Sequence, residues 1–242
     1  DSRLHGMLPA VEVRGLVKVF QTLTGEDKVA VDHLDLQIAS GRITALLGHN
    51  GAGKTTTIHI LTGMLQPTAG SATVNGFDVA TQMDLVRSSL GICPQFDILW
   101  PDLTVYEHLE LYGAIKGYLR VEIPELAAAA AAKVGLTSKL HSLAGELSGG
   151  QRRKLSVAIA FLGNPAVVFL DEPTSGMDPY SRRFTWEVIR QHRSESAIVL
   201  TTHSMEEADL LGDRVVILAR GRVAAQGTGM ELKVCTALSS CV

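Results

Sequence analysis

Residues 48–55 read Gly-His-Asn-Gly-Ala-Gly-Lys-Thr, and no other stretch limits so sharply what the chain can fold into. Gly48, Gly53, Lys54 and Thr55 have the spacing G-x4-G-K-T. An apolar run, Ile43 to Leu47, leads into the octet, and a segment suited to a helix, Thr55 to Leu65, leaves it. Glycines at these points let the backbone curl until successive N–H groups face one centre, and the N-terminus of the next helix adds partial positive charge. Strand, glycine loop and helix in that order are the setting of a phosphate cradle, the P-loop. Gly48, Asn50, Gly51, Ala52, Gly53, Lys54, Thr55 and Thr56 are therefore expected to bind a nucleoside triphosphate. Lys54 would place its charge between the β- and γ-phosphates, and Thr55 would offer a hydroxyl to Mg²⁺.

Two further apolar runs end in chemistry. Val167 to Leu170 is followed by Asp171-Glu172, and Ile198 to Leu200 by Thr201-Thr202-His203. Short, fully apolar runs suit buried parallel strands, which deliver the residues after them to the ligand-binding edge of an α/β sheet. There Asp171 would hold Mg²⁺, directly or through water. Glu172 would orient or deprotonate the attacking water. His203 would lie near the terminal phosphate. Gln95, after Cys93-Pro94, stands where its amide can reach Mg²⁺ or the water and report phosphate loss. His49 lies inside the P-loop, where its side chain need not face the ligand. Phe20 has two readings, an aromatic face for the adenine or an ordinary strand-end cover for the core.

The rest of the 242 residues organise around these points. Val11 to Phe20 and Val29 to Ile38 alternate as strands about a polar loop at Gly25 to Lys28, and Ser71 to Val79 reads as another strand. From Asp97 to about Pro165 the pattern is helical. Thr104 and Glu107 have capping-box spacing, Pro124 opens a helix carrying the alanine run 127–132, and Ser148 opens a third. A helix from about Ser181 to His192 follows, then a second capping box at Ser204 and Glu207. Arg214 to Ala219 and Arg222 to Ala225 pair as a hairpin, and the tail after Gly227 has weak periodicity and is expected to be poorly ordered.

Composition closes off other classes. Hydrophobic residues make up 46%, enough for a core, and the formal net charge of −3 leaves no global field for nucleic acid. The cluster Arg152, Arg153, Lys154 reads as solvated surface. Three cysteines, Cys93, Cys235 and Cys241, include no C-x-x-C pair, which argues against a disulfide framework or a zinc site and fits a reducing compartment. No basic flank precedes an apolar stretch at the N-terminus, so no signal peptide is expected. The most apolar region, Val157 to Leu170, is interrupted at Gly163, Asn164 and Pro165 and is too short for a bilayer span of about 20 residues.

Leu147-Ser148-Gly149-Gly150-Gln151 discriminates most. A helix starting at Ser148 presents unpaired N–H groups behind two glycines, a second anion site far in sequence from the first. One nucleotide needs one cradle, so a second on another lobe suggests pairing between two molecules.

In this order, the motifs resemble the nucleotide-binding domain of ABC transporters, from about Val11 to Gly227. The resemblance assigns Gln95 to the Q-loop, Leu147 to Gln151 to the signature, Asp171-Glu172 to Walker B, Ser175 to Asp178 to the D-loop and His203 to the switch. Phe20 replaces the tyrosine common at the adenine position. Cys-Pro-Gln-Phe-Asp-Ile-Leu, Gly-Gln-Arg-Arg-Lys-Leu-Ser and Asp-Pro-Tyr-Ser-Arg-Arg look like the eukaryotic A subfamily, whose members largely move lipids.

The resemblance implies one ABC ATPase domain of α/β class. A P-loop NTPase core with an N-terminal antiparallel β subdomain would occupy 11–96 and 166–227. An α-helical signature subdomain would be inserted at 97–165, and 228–242 would form the tail. It further implies ATP and Mg²⁺ as ligands and head-to-tail closure on a second such domain. Ser148, Gly149, Gly150 and Gln151 would touch the nucleotide held by the partner. Transmembrane domains of the same or another polypeptide and a place at the cytosolic face of a membrane follow, with no nucleic acid expected. Phe96, Ile98, Leu99 and Trp100 would either dock a membrane-domain helix or join the core. The rival readings are a soluble ABC ATPase acting in translation or on nucleic acid, a non-enzymatic ATP-binding regulator, and an importer ATPase.

Overall fold

The computed structural model describes residues 9–21 and 25–233. Cys235 and Cys241 lie outside them, as does most of the expected tail. Two sheets organise the chain. The first is antiparallel: β1 (Val11–Gln21), β2 (Asp27–Ile38), β4 (Ala69–Val74) and the short β5 (Phe77–Asp78), in the order β2-β1-β4-β5. The second has six strands. It contains β3 (Ile43–Leu47), β6 (Leu90–Cys93), β7 (Val167–Asp171), β8 (Ala197–Thr202), β9 (Arg214–Ala219) and β10 (Arg222–Gly227), ordered β10-β9-β3-β8-β7-β6. All its pairings are parallel except the β9–β10 hairpin.

The parallel strands read as unbroken apolar runs because both faces are covered. Val168 and Leu170 of β7 join Ile198 and Leu200 of β8 in a core shared with the helical segments. Their neighbours Val167, Phe169, Ala197 and Val199 point the other way, into a core shared with β1, β2, β4 and α1 (Lys54–Leu61). The period-2 alternation of side chains thus welds one sheet to two different layers.

Helices α3 (Val105–Ile115), α4 (Ile123–Lys133) and α5 (Gly149–Phe161) make up the middle of the chain. Thr104 caps α3 with a complete box, since its hydroxyl accepts from the Glu107 N–H while the Glu107 carboxylate takes the Thr104 N–H at 2.7 Å. Pro124 sits in the first turn of α4, and Ser148 caps α5. The helix over α6 (Pro179–Gln191) is started by Asp178, whose carboxylate accepts from the N–H groups of Tyr180 and Ser181 at 3.0 Å each.

Several expectations change. The polar loop at 25–28 already belongs to β2 from Asp27, because its residues pair with β1. Ser71 to Val79 is two strands folded at Asn75-Gly76, both with left-handed φ. The first helix ends at Leu61, not Leu65. A helix absent from the sequence reading, α2 (Met83–Ser89), precedes β6. At the start of α7 (Met205–Leu211) only half of the expected capping box forms. Ser204 accepts from the Glu207 N–H, but the buried Glu207 carboxylate accepts from Thr174 Oγ1 at 2.7 Å and Trp186 Nε1 at 2.9 Å. Tertiary donors outcompete the local one there. Of the tail, the described residues 229–233 are helical, and Leu232 is buried.

Gly91 marks a close approach between layers. A Cβ there would stand 1.9 Å from the carbonyl oxygen of Ala160 in α5. Gly91→Ala should force β6 and α5 apart and lower stability by about 1–3 kcal/mol, read as a reduced urea midpoint. An unchanged midpoint would show that the two elements separate freely.

Candidate nucleotide site

Strand register assembles the site. β8 lies between β3 and β7, with Thr202 opposite Leu47 and Thr201 opposite Asp171. β6 flanks β7 with Cys93 opposite Leu170. The residues that follow these strands (Gly48, Gln95, Glu172 and His203) therefore emerge side by side at the C-terminal edge. That edge is where α/β sheets bind ligands.

The P-loop turns tightly out of β3. Gly53 adopts φ 103°, and a Cβ on it would stand 2.6 Å from the Ala30 carbonyl oxygen; a Cβ on Gly48 would stand 2.6 Å from that of Leu218. Both positions therefore require glycine, which keeps the loop backbone bare as a phosphate cradle must be. Lys54 is buried, and its ammonium donates to the carbonyls of Gly48 at 2.7 Å and His49 at 3.3 Å. The charge is thus held against the loop it serves. Thr55, half-buried in the first turn of α1, donates its hydroxyl to Asp171 Oδ1 at 3.3 Å.

Asp171 is buried at the end of β7 and receives a second hydroxyl, from Thr201. Thr55 and Asp171, 116 residues apart, thus present two hard oxygen ligands to one point. That donor set suits Mg²⁺, which takes few protein ligands and completes its shell with phosphate and water.

The next residue, Glu172, leaves the strand with φ 48°. A left-handed glutamate costs on the order of 1–3 kcal/mol and persists only where its surroundings enforce it. Here its N–H is held by the Thr201 carbonyl at 3.2 Å and the Thr201 hydroxyl at 3.0 Å. The turn aims the Glu172 carboxylate at His203, with Oε1 3.3 Å from Nδ1. His203 is mostly exposed while the Glu172 side chain is nearly covered.

A cleft of about 500 Å³ is lined by His49, Asn50, Gln95, Glu172 and His203. It gathers the P-loop, Gln95, Glu172 and His203 from four separated segments. His49, whose orientation the sequence leaves open, also faces it; only the turn of the loop decides that. Cys93, just below, is fully buried, and burial pushes its thiol up to about 12, so it remains protonated and inert.

Phe20 is half-buried on β1 and belongs to neither core cluster. It pairs with Lys28, two residues before the Ala30 carbonyl that abuts Gly53, and Lys18 Nζ lies 5.2 Å from its ring centre.

Ser148 to Gln151 do not line the cleft. The Ser148 hydroxyl accepts from the Gln151 N–H at 3.3 Å, and the Gln151 amide oxygen takes the Ser148 N–H at 3.0 Å. A Cβ on Gly149 would meet nothing within 4 Å, so this glycine faces open space, whereas a Cβ on Gly150 would stand 3.3 Å from Ser181 Oγ. The neighbouring basic cluster is not a solvated patch. Arg153 is buried and fully bonded, Arg152 donates to the Leu147 carbonyl, and Lys154 Nζ lies 4.2 Å from the Phe184 ring centre, with burial lowering its pKa.

A parallel sheet with a P-loop at its central strand, a Thr–Asp oxygen pair and a carboxylate in the same cleft defines a P-loop nucleoside triphosphatase. Residues 31–175 match the ABC transporter family model, and the chain belongs to that family: it is an ABC ATPase domain. Among curated relatives, human retinal-specific phospholipid-transporting ATPase ABCA4 is 50% identical over 230 residues, 95% of this chain. The chain spans about a tenth of that relative's length. Among solved structures, the ATP-binding subunit of an ABC transporter superposes with TM-score 0.84 at 28% identity, covering 95% of this chain and 94% of that one. A dimeric ATP-binding cassette bound to ADP and Pi has the same fold, with TM-score 0.82 at 23% identity over 90% and 98% of the two chains.

Proposed function

We propose that this domain powers movement of a lipid across a membrane by closing head to tail on a second nucleotide-binding domain around ATP. The observation that carries the reading is the single cleft in which Gln95, Glu172 and His203 converge beside the P-loop and the Thr55–Asp171 pair.

In this reading the amides of residues 48–56 and the Lys54 ammonium hold the phosphates. Thr55, Asp171 and Gln95 would hold Mg²⁺, which would supply charge neutralisation to the bound triphosphate. Phe20 stacks on the adenine. Glu172 takes the water proton as the new bond to the γ-phosphorus forms and the bond to the ADP oxygen breaks. Nδ1 of His203 steadies that carboxylate, which leaves Nε2 for the phosphate. The open N-terminus of α5, with Ser148, Gly149, Gly150 and Gln151, completes the site of the partner domain.

The name of the human relative supports a lipid cargo, and the dimeric solved cassette supports a second nucleotide-binding domain. A transmembrane partner is supported by Phe96, Ile98 and Trp100, which are 78%, 59% and 47% exposed beside Gln95, whereas Leu99 packs on the core. None of the described helices is long and apolar enough to cross a membrane. In this reading the domain works at the cytosolic face of a membrane, joined to transmembrane domains of the same or another polypeptide, and no nucleic-acid partner is expected. The division into a catalytic core (11–96 and 166–227), a signature subdomain (97–165) and a tail (228–242) belongs to the same proposal.

Sedimentation tests the closure. The chain with ATP under non-hydrolysing conditions should double in mass, and Ser148→Arg should bind ATP yet stay monomeric. Doubling that is indifferent to Ser148→Arg would remove the signature from the interface.

A further inference from the structure

Arg153 is 4% exposed, and all three guanidinium nitrogens are engaged. Nε donates to the Pro173 carbonyl at 2.9 Å. Nη2 donates to the carbonyls of Asp171 at 2.8 Å and Glu172 at 2.9 Å. Nη1 donates to the Pro94 carbonyl at 2.5 Å and to Asp97 Oδ1 at 3.2 Å. Ser156, one turn along α5, donates to the same Asp97 oxygen at 2.8 Å.

The physical need is plain. β6 ends at Cys93 and β7 at Asp171, so the carbonyls of residues 94 and 171–173 leave the sheet without strand partners while still near the core. Buried carbonyls must find donors. A planar guanidinium with five N–H groups can serve four of them and a carboxylate at once; an ammonium with three protons on a flexible stem cannot. One side chain of the signature helix therefore grips the backbone on both sides of Glu172, and also the segment carrying Gln95.

We infer that Arg153 is a positioning residue for hydrolysis: it holds the left-handed turn that aims Glu172 at the cleft and transmits motion of α5 to Glu172 and Gln95 together. This rests on the reading of Glu172 as the group that activates water. Arg153 sits three residues beyond Gly150, so a displacement of the helix start by a partner nucleotide is carried through one rigid helix to the hydrolytic carboxylate. No contact between Arg153 and nucleotide is needed.

The test compares Arg153→Lys, Arg153→Met and Asp97→Asn with wild type, measuring ATP affinity, kcat, KM and the unfolding midpoint. Arg153→Lys should lose on the order of 10–100-fold in kcat, the scale of small misplacements at a reacting centre. Its ATP affinity should stay within about threefold. Asp97→Asn, which leaves the grip on residues 171–173 intact, should lose less. Adding Arg153→Lys to Glu172→Gln should reduce the residual rate no further, since both act on one step.

Wild-type kcat in Arg153→Lys would overturn the inference. So would a kcat loss matched by equal losses in affinity and stability, or an additive effect in the Glu172→Gln background. Arg153→Met adds the same comparison with the charge removed; if it does not fold, the lysine variant decides. A normal Arg153→Lys alongside an inactive Glu172→Gln overturns only the role of Arg153. A Glu172→Gln that hydrolyses ATP normally overturns the reading beneath it.

Discussion

Glu172→Gln should bind ATP with near-wild-type affinity and lose hydrolysis by about 10²–10⁴-fold, the range of a positioned general base. The substitution keeps size and hydrogen-bonding capacity but removes the ability to take a proton. It should leave the fold alone, because the features that hold residue 172 are backbone ones. Its N–H bonds to Thr201 and its carbonyl bond from Arg153 do not involve the carboxylate. Among the described residues the only partner lost in part is the mostly exposed His203 at 3.3 Å. Phosphate release and ATP titration on the same preparation separate the two effects. Hydrolysis at the wild-type rate would remove Glu172 from the mechanism and leave the carboxylate as a structural neighbour of His203.

Lys54→Ala should abolish useful nucleotide binding, weakening ATP affinity by at least about 2 kcal/mol, roughly thirtyfold, as expected when a buried charge pair is broken. Among the described residues the ammonium is bonded only to the carbonyls of Gly48 and His49, both within its own loop. His49 is exposed and lines the cleft, where water can replace the lysine. The unfolding midpoint should therefore move little while affinity collapses. Isothermal titration with ATP and a parallel thermal melt check both halves. Binding that survives would mean that the loop amides alone suffice. A large fall in the midpoint would show Lys54 to be a structural element of the loop.

The site was more legible than the frame that holds it. Gly48 and Lys54 could be picked out by the glycine spacing behind a short apolar run, and Asp171, Glu172 and His203 by their place at the ends of such runs, which are parallel strands whose ends share an edge. The β6 strand with Gly91 was passed over, since four residues interrupted by a glycine carry little periodicity. α2, seven residues long with one buried position, was missed for the same reason. Glu207 was misread because the spacing Ser-x-x-Glu predicts a reciprocal cap, and only the fold brings Thr174 and Trp186 within reach of its carboxylate. Arg153 was misread for a similar reason. Three consecutive basic residues look like solvated surface, yet on a helix they point in three directions, and one points into the core.

The sequence by itself determined the candidate chemistry: a glycine loop suited to phosphate, a hydroxyl and a carboxylate suited to a metal, a second carboxylate proposed for water, and a helix start at Ser148 proposed as a second anion site. These depend on residue type and short spacing, which local backbone preference converts into strand, loop and helix cap without outside help. Tertiary structure alone decided how those parts meet. Parallel register set Gln95 and Glu172 at one level, the packing of β6 on α5 required Gly91, and the burial of Arg153 tied the signature helix to Glu172. Such contacts join residues tens of positions apart, and no local pattern encodes them, because their energies exist only once both sides have left water.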